Sequence, residues 1–303
     1  MKMRTPETSP AGCRNPAAVA AEVSVVATFA AFATLATLAT VATLASLGLA
    51  VGAVPAMAQV APEGRERFSH AEWAKVLERF VDEKGRVDYV ALSRDRAGLD
   101  AWVERLARQG PRSTPSLFPS RNDRLAYYLN AYNALVFQGV LSRGPEKESV
   151  WKGGLVSGYS FFVSMEVRLD GESWSLKALE DDLIRKEFAD PRIHAALNCA
   201  SVGCPRLPRE AFVPEKLDAQ LDAAMREFVE EERNVATDAG RKTVTLSKIF
   251  DWFEKDFLSF ERVSGNPDPK IVDYVNRYRA SKPKLDRSFR VRYFDYDKRI
   301  NGR

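Results

Sequence analysis

The chain has 303 residues, 45 Lys and Arg against 41 Asp and Glu, and a formal net charge of +4 with hydrophobic residues at 45%. Residues 1–58 hold three bases (Lys2, Arg4, Arg14) and two acids (Glu7, Glu22), so the rest stays near +3, its charges interleaved as in Glu230-Glu-Glu-Arg233. That pattern is an ordinary solvated surface and excludes the basic stripe of a nucleic-acid-binding protein.

No charged residue falls between Val23 and Ala58, and the apolar run ends in Ala56-Met57-Ala58, the small-x-small pattern of a leader-peptidase site. Residues 1–58 are therefore expected to be a signal sequence, cut after Ala58, and the protein to be exported, periplasmic or extracellular. An uncleaved anchor is the alternative, because the run exceeds the ~20 residues that a span needs. Residues 59–67, polar with Pro62 and Gly64, are expected to be a flexible lead-in. Residues 68–303 then form one globular domain, with membrane contact only through an uncleaved leader.

Ser69 is placed to cap a helix that starts near Ala71 and carries Trp73, Val76, Leu77 and Phe80 on one face. A second helix is predicted over 96–109, and a Pro- and Ser-rich loop over 110–120. The best-patterned helix follows over 121–142, capped by Asn122, with Leu125, Tyr128, Leu129, Tyr132, Leu135 and Val136 at helical spacing. A strand is read over 161–169, then a hairpin turn at Asp170-Gly171. Ser175 caps a helix to Phe188, and the apolar segment 193–198 reads as a buried strand. Helices over 215–231, from Ser247 through Phe257, and over 268–280 alternate with short strands at 244–246 and 289–296. The sum is α+β, helices around a small, mostly antiparallel sheet. No phosphate-binding glycine loop or other cofactor signature is present, since the Gly153-Gly154 pair lacks the strand-to-helix context of such a loop.

Chemistry-bearing residues concentrate between Asp190 and Leu207, which holds His194, Cys199 and Cys204. In an oxidising compartment, Cys199 and Cys204 are expected to form a small structural disulfide. They lack the C-x-x-C spacing of a thioredoxin-like redox pair, and with His194 they offer a zinc ion only three ligands. Alternatively, an imidazole next to a thiol makes a thiolate nucleophile, with His194 as base and Cys199 as attacking group. On a strand, His194 and Asn198 would lie about 13 Å apart, at ~3.3 Å per residue, and Cys199 would face away, so a dyad needs a sharp bend there. A plainer role for His194 is a buried, hydrogen-bonded ring. Asn130 and Asn133 lie side by side on the 121–142 helix, and buried amides need partners. They serve either to orient His194 or a substrate carbonyl, or to tie the helix to a neighbouring loop. His70 is expected at the surface.

Three blocks resemble the hallmarks of the family known as domain of unknown function 547. They are Leu125-Ala-Tyr-Tyr-Leu-Asn-Ala-Tyr-Asn-Ala-Leu135, the Asp190–Leu207 segment, and Leu246-Ser-Lys-Ile-Phe-Asp-Trp-Phe-Glu-Lys-Asp-Phe257. Gly85 to Tyr89 and Tyr296-Asp297 to Asn301 resemble the family's outer edges, except that Lys298 stands where the family usually has Trp. The resemblance implies that Asn130, Asn133, His194, Cys199 and Cys204 occupy motif positions, and it carries no established activity. A core helix followed by a His-bearing strand is similar in order to transglutaminase and papain-like folds. The favoured reading is an exported domain with a Cys199–Cys204 disulfide that binds an unknown small molecule, peptide or cell-envelope ligand. A Cys199/His194 thiol hydrolase or acyl transferase comes second, and a thiol–disulfide redox protein third.

Overall fold

The computed structural model describes residues 66–151 and 160–303. The expected signal sequence, most of the lead-in and the Gly153-Gly154 pair lie outside the described residues. Among the described residues, no helix is long and apolar enough to cross a membrane.

The N-terminal half is helical. Helices α1 (Ala71–Phe80), α2 (Tyr89–Arg94) and α3 (Ala97–Arg108) pack around α4 (Arg121–Arg143). Burial selects their registers: Trp73, Val76, Leu77 and Phe80 of α1 are buried at the spacing the sequence predicts. Ser120 rather than Asn122 caps α4. Its hydroxyl accepts from the Asp123 backbone, and the Asp123 carboxylate accepts from the Ser120 backbone, a reciprocal box that Asn122, one residue inside the helix, is too late to make. Unbroken burial from Leu125 to Phe137 makes α4 the core of this half.

After α5 (Ser160–Ser164), strands β1 (Glu166–Leu169) and β2 (Glu172–Ser175) form an antiparallel hairpin. Only the end of the strand predicted over 161–169 is extended, because Phe161 and Phe162 enter the core from a helical turn. Asp170 and Gly171 make the turn with φ of 54° and 81°, the left-handed pair a two-residue hairpin demands. The Asp170 carboxylate also accepts from the backbones of Arg112 and Ser113, pinning the loop after α3.

Ser175 caps the next helix as expected, but the helix is not uniform. A π-helical stretch, Leu179–Ile184, separates α6 (Leu176–Ala178) from α7 (Arg185–Phe188). Segment 193–198 is not a strand: Pro191–Ala195 is a 3-10 turn, started by Asp190, whose side chain accepts from the Arg192 backbone. The fixed φ of Pro191 and this Asp cap favour a tight turn over extension. The His-bearing strand of the papain-like analogy is therefore not present at His194.

The C-terminal half packs α8 (Leu217–Glu230), α9 (Lys248–Trp252), α10 (Glu254–Val263) and α11 (Ile271–Tyr278) around a three-stranded sheet. In it, β3 (Val235–Asp238) pairs antiparallel with β4 (Thr243–Leu246), and β4 pairs parallel with β5 (Arg290–Tyr293). The architecture is α+β, with small, mostly antiparallel sheets. Two apolar clusters result, one around α4 and one around this sheet, and the 3-10 turn lies on their seam. Ile193, Ala196 and Leu197 belong to the first cluster and Ala195 to the second.

Candidate functional site

A cleft of about 480 Å³ opens at that seam, a size typical of small-molecule sites. Tyr132 of α4, Glu180, Asp181 and Arg185 of the π-bearing helix, His194, the Cys199–Cys204 loop, Phe253 and Tyr296 line it. His194 and the cysteines thus share one wall, as their sequence proximity suggested, but the helix of Glu180 faces them.

His194 is almost fully buried. Its ring stacks on Phe253 at 3.9 Å between centroids, and Nε2 lies 2.8 Å from Asp256 Oδ2. Phe253 is where α9 stops and α10 begins, so one kink supplies the stacking ring and sets Asp256 in the first turn of α10. Burial opposes the charge on Asp256, but hydrogen bonds from His194 and Arg185 outweigh it and hold the carboxylate well below the usual range. An ionised carboxylate only accepts, so Nε2 carries the proton and Nδ1 has the lone pair. Among the described residues, Nδ1 has no hydrogen-bond partner. Burial, partly offset by Asp256, pulls the His194 pKa below its ordinary value, which leaves the ring neutral at neutral pH.

Arg185 extends this pair. It donates to both Asp256 oxygens at 2.8 and 2.9 Å and to Asp181 Oδ1 at 2.7 Å, and Lys177 bonds Asp181 in turn. Next to Asp181, on the π turn, Glu180 accepts from the Tyr132 hydroxyl at 3.0 Å. Burial is the main influence on Glu180. The nearby charge of Asp181 adds to it, the Tyr132 bond opposes it, and the pKa is pushed up to about 7. The cleft therefore holds one acid kept ionised behind His194 and another half-protonated near neutral pH, a division of labour common in acid–base enzymes.

Cys199 and Cys204 form the expected disulfide. The Tyr296 hydroxyl lies 2.9 Å from one sulfur and 3.1 Å from the other, and the Cys199 backbone donates to Cys204 Sγ. Ala200 takes φ of 60°, a strained left-handed conformation held by a bond from its backbone to Asn198 Oδ1. Segment 297–301 is laid along this loop. Gly203 donates to the Asp297 carbonyl and Val202 to that of Arg299, while Asn301 reaches Asn198 and Tyr89. A Cβ at Gly203 would fall 2.8 Å from the Tyr296 ring, so only glycine allows the approach.

The two amides of α4 do not touch His194. Asn133 donates to Ala196 O and accepts from Asn198 N. Asn130 does the same for the Phe212 backbone and donates to His70 Nδ1 as well. His70 is thus buried, not at the surface, and burial, aided by the Arg105 charge, lowers its pKa to about 4. Tyr132 was expected only as a packing residue of its helix, and Glu180, Arg185, Asp256 and Tyr296 were given no role in the site from sequence. Asp256 and Tyr296 lay inside quoted blocks, whereas Glu180 reads as one more acid on a solvated helix. Among the described residues, no cluster of His, Cys, Asp or Glu is arranged to hold a metal ion.

Fold and site together define an α+β protein with a disulfide-walled, acid- and aromatic-lined cleft. Residues 117–229 match the model of the family described as protein of unknown function, DUF547. The match takes in Asn130, Asn133, Glu180, His194 and both cysteines, but stops short of Asp256 and Tyr296. No curated protein and no solved structure matches the chain.

Proposed function

We propose that the protein is an exported acid–base hydrolase of small molecules, with His194 as general base, Glu180 as general acid and Cys199–Cys204 as the staple of the cleft wall. The observation that carries the reading is the Asp256–His194 contact at the cleft, which fixes the tautomer and leaves the lone pair on Nδ1, as in Asp-oriented histidine bases. In the reaction, Nδ1 of His194 takes a proton from water as the water oxygen bonds to the electrophilic carbon. Glu180 gives its proton to the departing oxygen as the carbon–oxygen bond breaks. Solvent then returns a proton from His194 to Glu180, and the cycle closes without an external oxidant. In this reading Asn130 and Asn133 are positioning residues that hold the loops flanking the cleft. Cys199 is not a resting nucleophile, because its sulfur is already bonded. The leader-like sequence of residues 1–58 supports export, and an oxidising compartment suits the disulfide.

The test is a panel of nitrophenyl esters and glycosides, hydrolysed by the wild type, His194→Ala, Glu180→Gln and the Cys199→Ala/Cys204→Ala double variant. Loss of a general acid or base lowers the rate by about 10²–10⁴-fold. Activity is expected to fall as pH rises through about 7, where Glu180 deprotonates, and Glu180→Gln to abolish that limb of the profile. If the cysteine variant is inactive while His194→Ala is not, the reading fails.

A further inference from the structure

The same cleft carries a feature that acid–base chemistry does not use. Its mouth is a group of aromatic rings: Trp151 lies 6.3 Å from Trp252 and 5.9 Å from Tyr296, and Trp252 lies 4.7 Å from Tyr296. Trp252 is 44% exposed, unusual for so large an apolar ring and more so at the edge of a cleft. Lys298 joins this group, with Nζ 5.1 Å from the centre of the Trp151 ring. The Lys298 carbonyl accepts from the Ser149 hydroxyl, which also accepts from the Trp151 backbone, so lysine and ring are anchored to one residue. Trp151 is held in turn by a bond from Nε1 to Ser201 Oγ at 2.7 Å.

Charge distinguishes Lys298 from the other cations that line the cleft. Arg185 is bonded to Asp181 and Asp256, and Lys177 to Asp181. The acid beside Lys298 in sequence, Asp297, is engaged by Arg299. Among the described residues, no carboxylate pairs with Lys298, and its ammonium rests on a ring face instead. A ring face is a weak partner for a cation at an exposed site, so the ammonium is available to an anion that approaches along the aromatic surface. Deeper in the cleft, the unsaturated hydrogen-bonding groups are carboxyl and imidazole, which suit hydroxyl groups on the ligand.

Resting on the hydrolase reading, we infer that the substrate is a hydroxylated ring bearing an anionic group, a sugar acid or sugar phosphate. Its flat face packs on Trp252 and Tyr296, and Lys298 receives the anion. Lys298 is then a specificity-determining residue that takes no part in the bond-breaking step.

The probes are glucuronate, glucose 6-phosphate and neutral glucose, titrated into the intact protein with tryptophan fluorescence and calorimetry as readouts. One charge-assisted contact corresponds to about tenfold in affinity, so at least one anion should bind about ten times more tightly than glucose. Binding of glucuronate alone assigns the carboxylate, and binding of glucose 6-phosphate alone assigns the phosphate. Lys298→Glu should remove the preference, and Lys298→Arg should keep it. The inference is overturned if glucose binds as tightly as the anions, if Lys298→Glu leaves the preference intact, or if no probe binds. Glu180→Gln and His194→Ala should weaken the anions and glucose alike and so keep the preference, because they touch the hydroxyl groups and not the anion. Charge-selective binding by a protein without hydrolase activity would sink the acid–base reading alone, and hydrolysis of uncharged compounds indifferent to Lys298 would sink this one alone.

Discussion

Replacing Glu180 by Gln should make the folded protein more stable at neutral pH while it removes the proposed acid. Gln keeps the shape of the side chain and an oxygen that accepts from Tyr132, but it has no proton to lose. In the wild type the Glu180 pKa rises from 4.5 to about 7 on folding, chiefly through burial. A raised acid binds its proton more tightly in the folded state, so its contribution is fully present below pH 4.5 and is lost as pH climbs through about 7. At about 1.4 kcal/mol per pK unit the loss reaches roughly 3 kcal/mol, an upper figure because the cleft leaves Glu180 partly open to solvent. Urea unfolding of both proteins from pH 4 to pH 8.5, followed by tryptophan fluorescence, isolates this contribution in the difference between the two curves. His70 acts in the opposite direction: with a folded pKa of about 4 against 6.5 unfolded, its contribution disappears as pH falls through that interval. Because both proteins contain His70, it cancels from the difference. The expected difference is flat in acid and grows in favour of the variant between pH 4.5 and about 7. Parallel stability curves across the whole range would refute the claim that Glu180 is buried at a cost for its function.

The disulfide closes a short ring, with a sequence separation of 5, so chain entropy alone assigns it about 2 kcal/mol. Cys199→Ala/Cys204→Ala should lower the urea midpoint accordingly, and a variant as stable as the wild type would show that the amide network holds the loop unaided. Asn133→Ala leaves the Ala196 carbonyl and the Asn198 amide without their partner, at about 1–3 kcal/mol for each buried group. Asn122→Ala, which loses only contacts of 3.4 and 3.5 Å near the surface, should change stability by less than about 0.5 kcal/mol, and equal effects of the two substitutions would refute the distinction.

Elements whose pattern matches their own periodicity were legible in the sequence. The apolar spacing of α4, the Asp170-Gly171 hairpin and the Ser175 and Ser247 caps are local signals that tertiary packing reinforces. The disulfide followed from the proximity of two cysteines and the expected compartment. Segment 193–198 was misread because a short apolar run fits a strand or a buried turn equally, and Asp190-Pro191 decided in favour of the turn. Strand β3 escaped notice, since Val235–Asp238 lacks a run of β-branched residues and depends on β4 for its pairing. The site was half legible. His194 and the cysteines cluster in sequence, but Glu180 and Asp256 come from helices that look amphipathic and solvated. What gives those two acids their character is the π turn and the Phe253 kink, which no residue pattern announces.

The strap at 297–301 has a consequence for how the cleft comes into being. It lies against the Cys199–Cys204 loop and reaches Tyr89 through Asn301, a contact that spans 212 residues of sequence. Contacts of such separation form late, since closing the intervening chain costs entropy before any bond repays it. Helices α1 to α4 can pair through nearer contacts, but the wall that holds Tyr296 and Lys298 must wait for a segment whose Asn301 lies 212 residues beyond Tyr89. A product truncated before that strap keeps His194 and Glu180 yet has no enclosed chamber, so the closed cleft is withheld until residues 297–301 are in place.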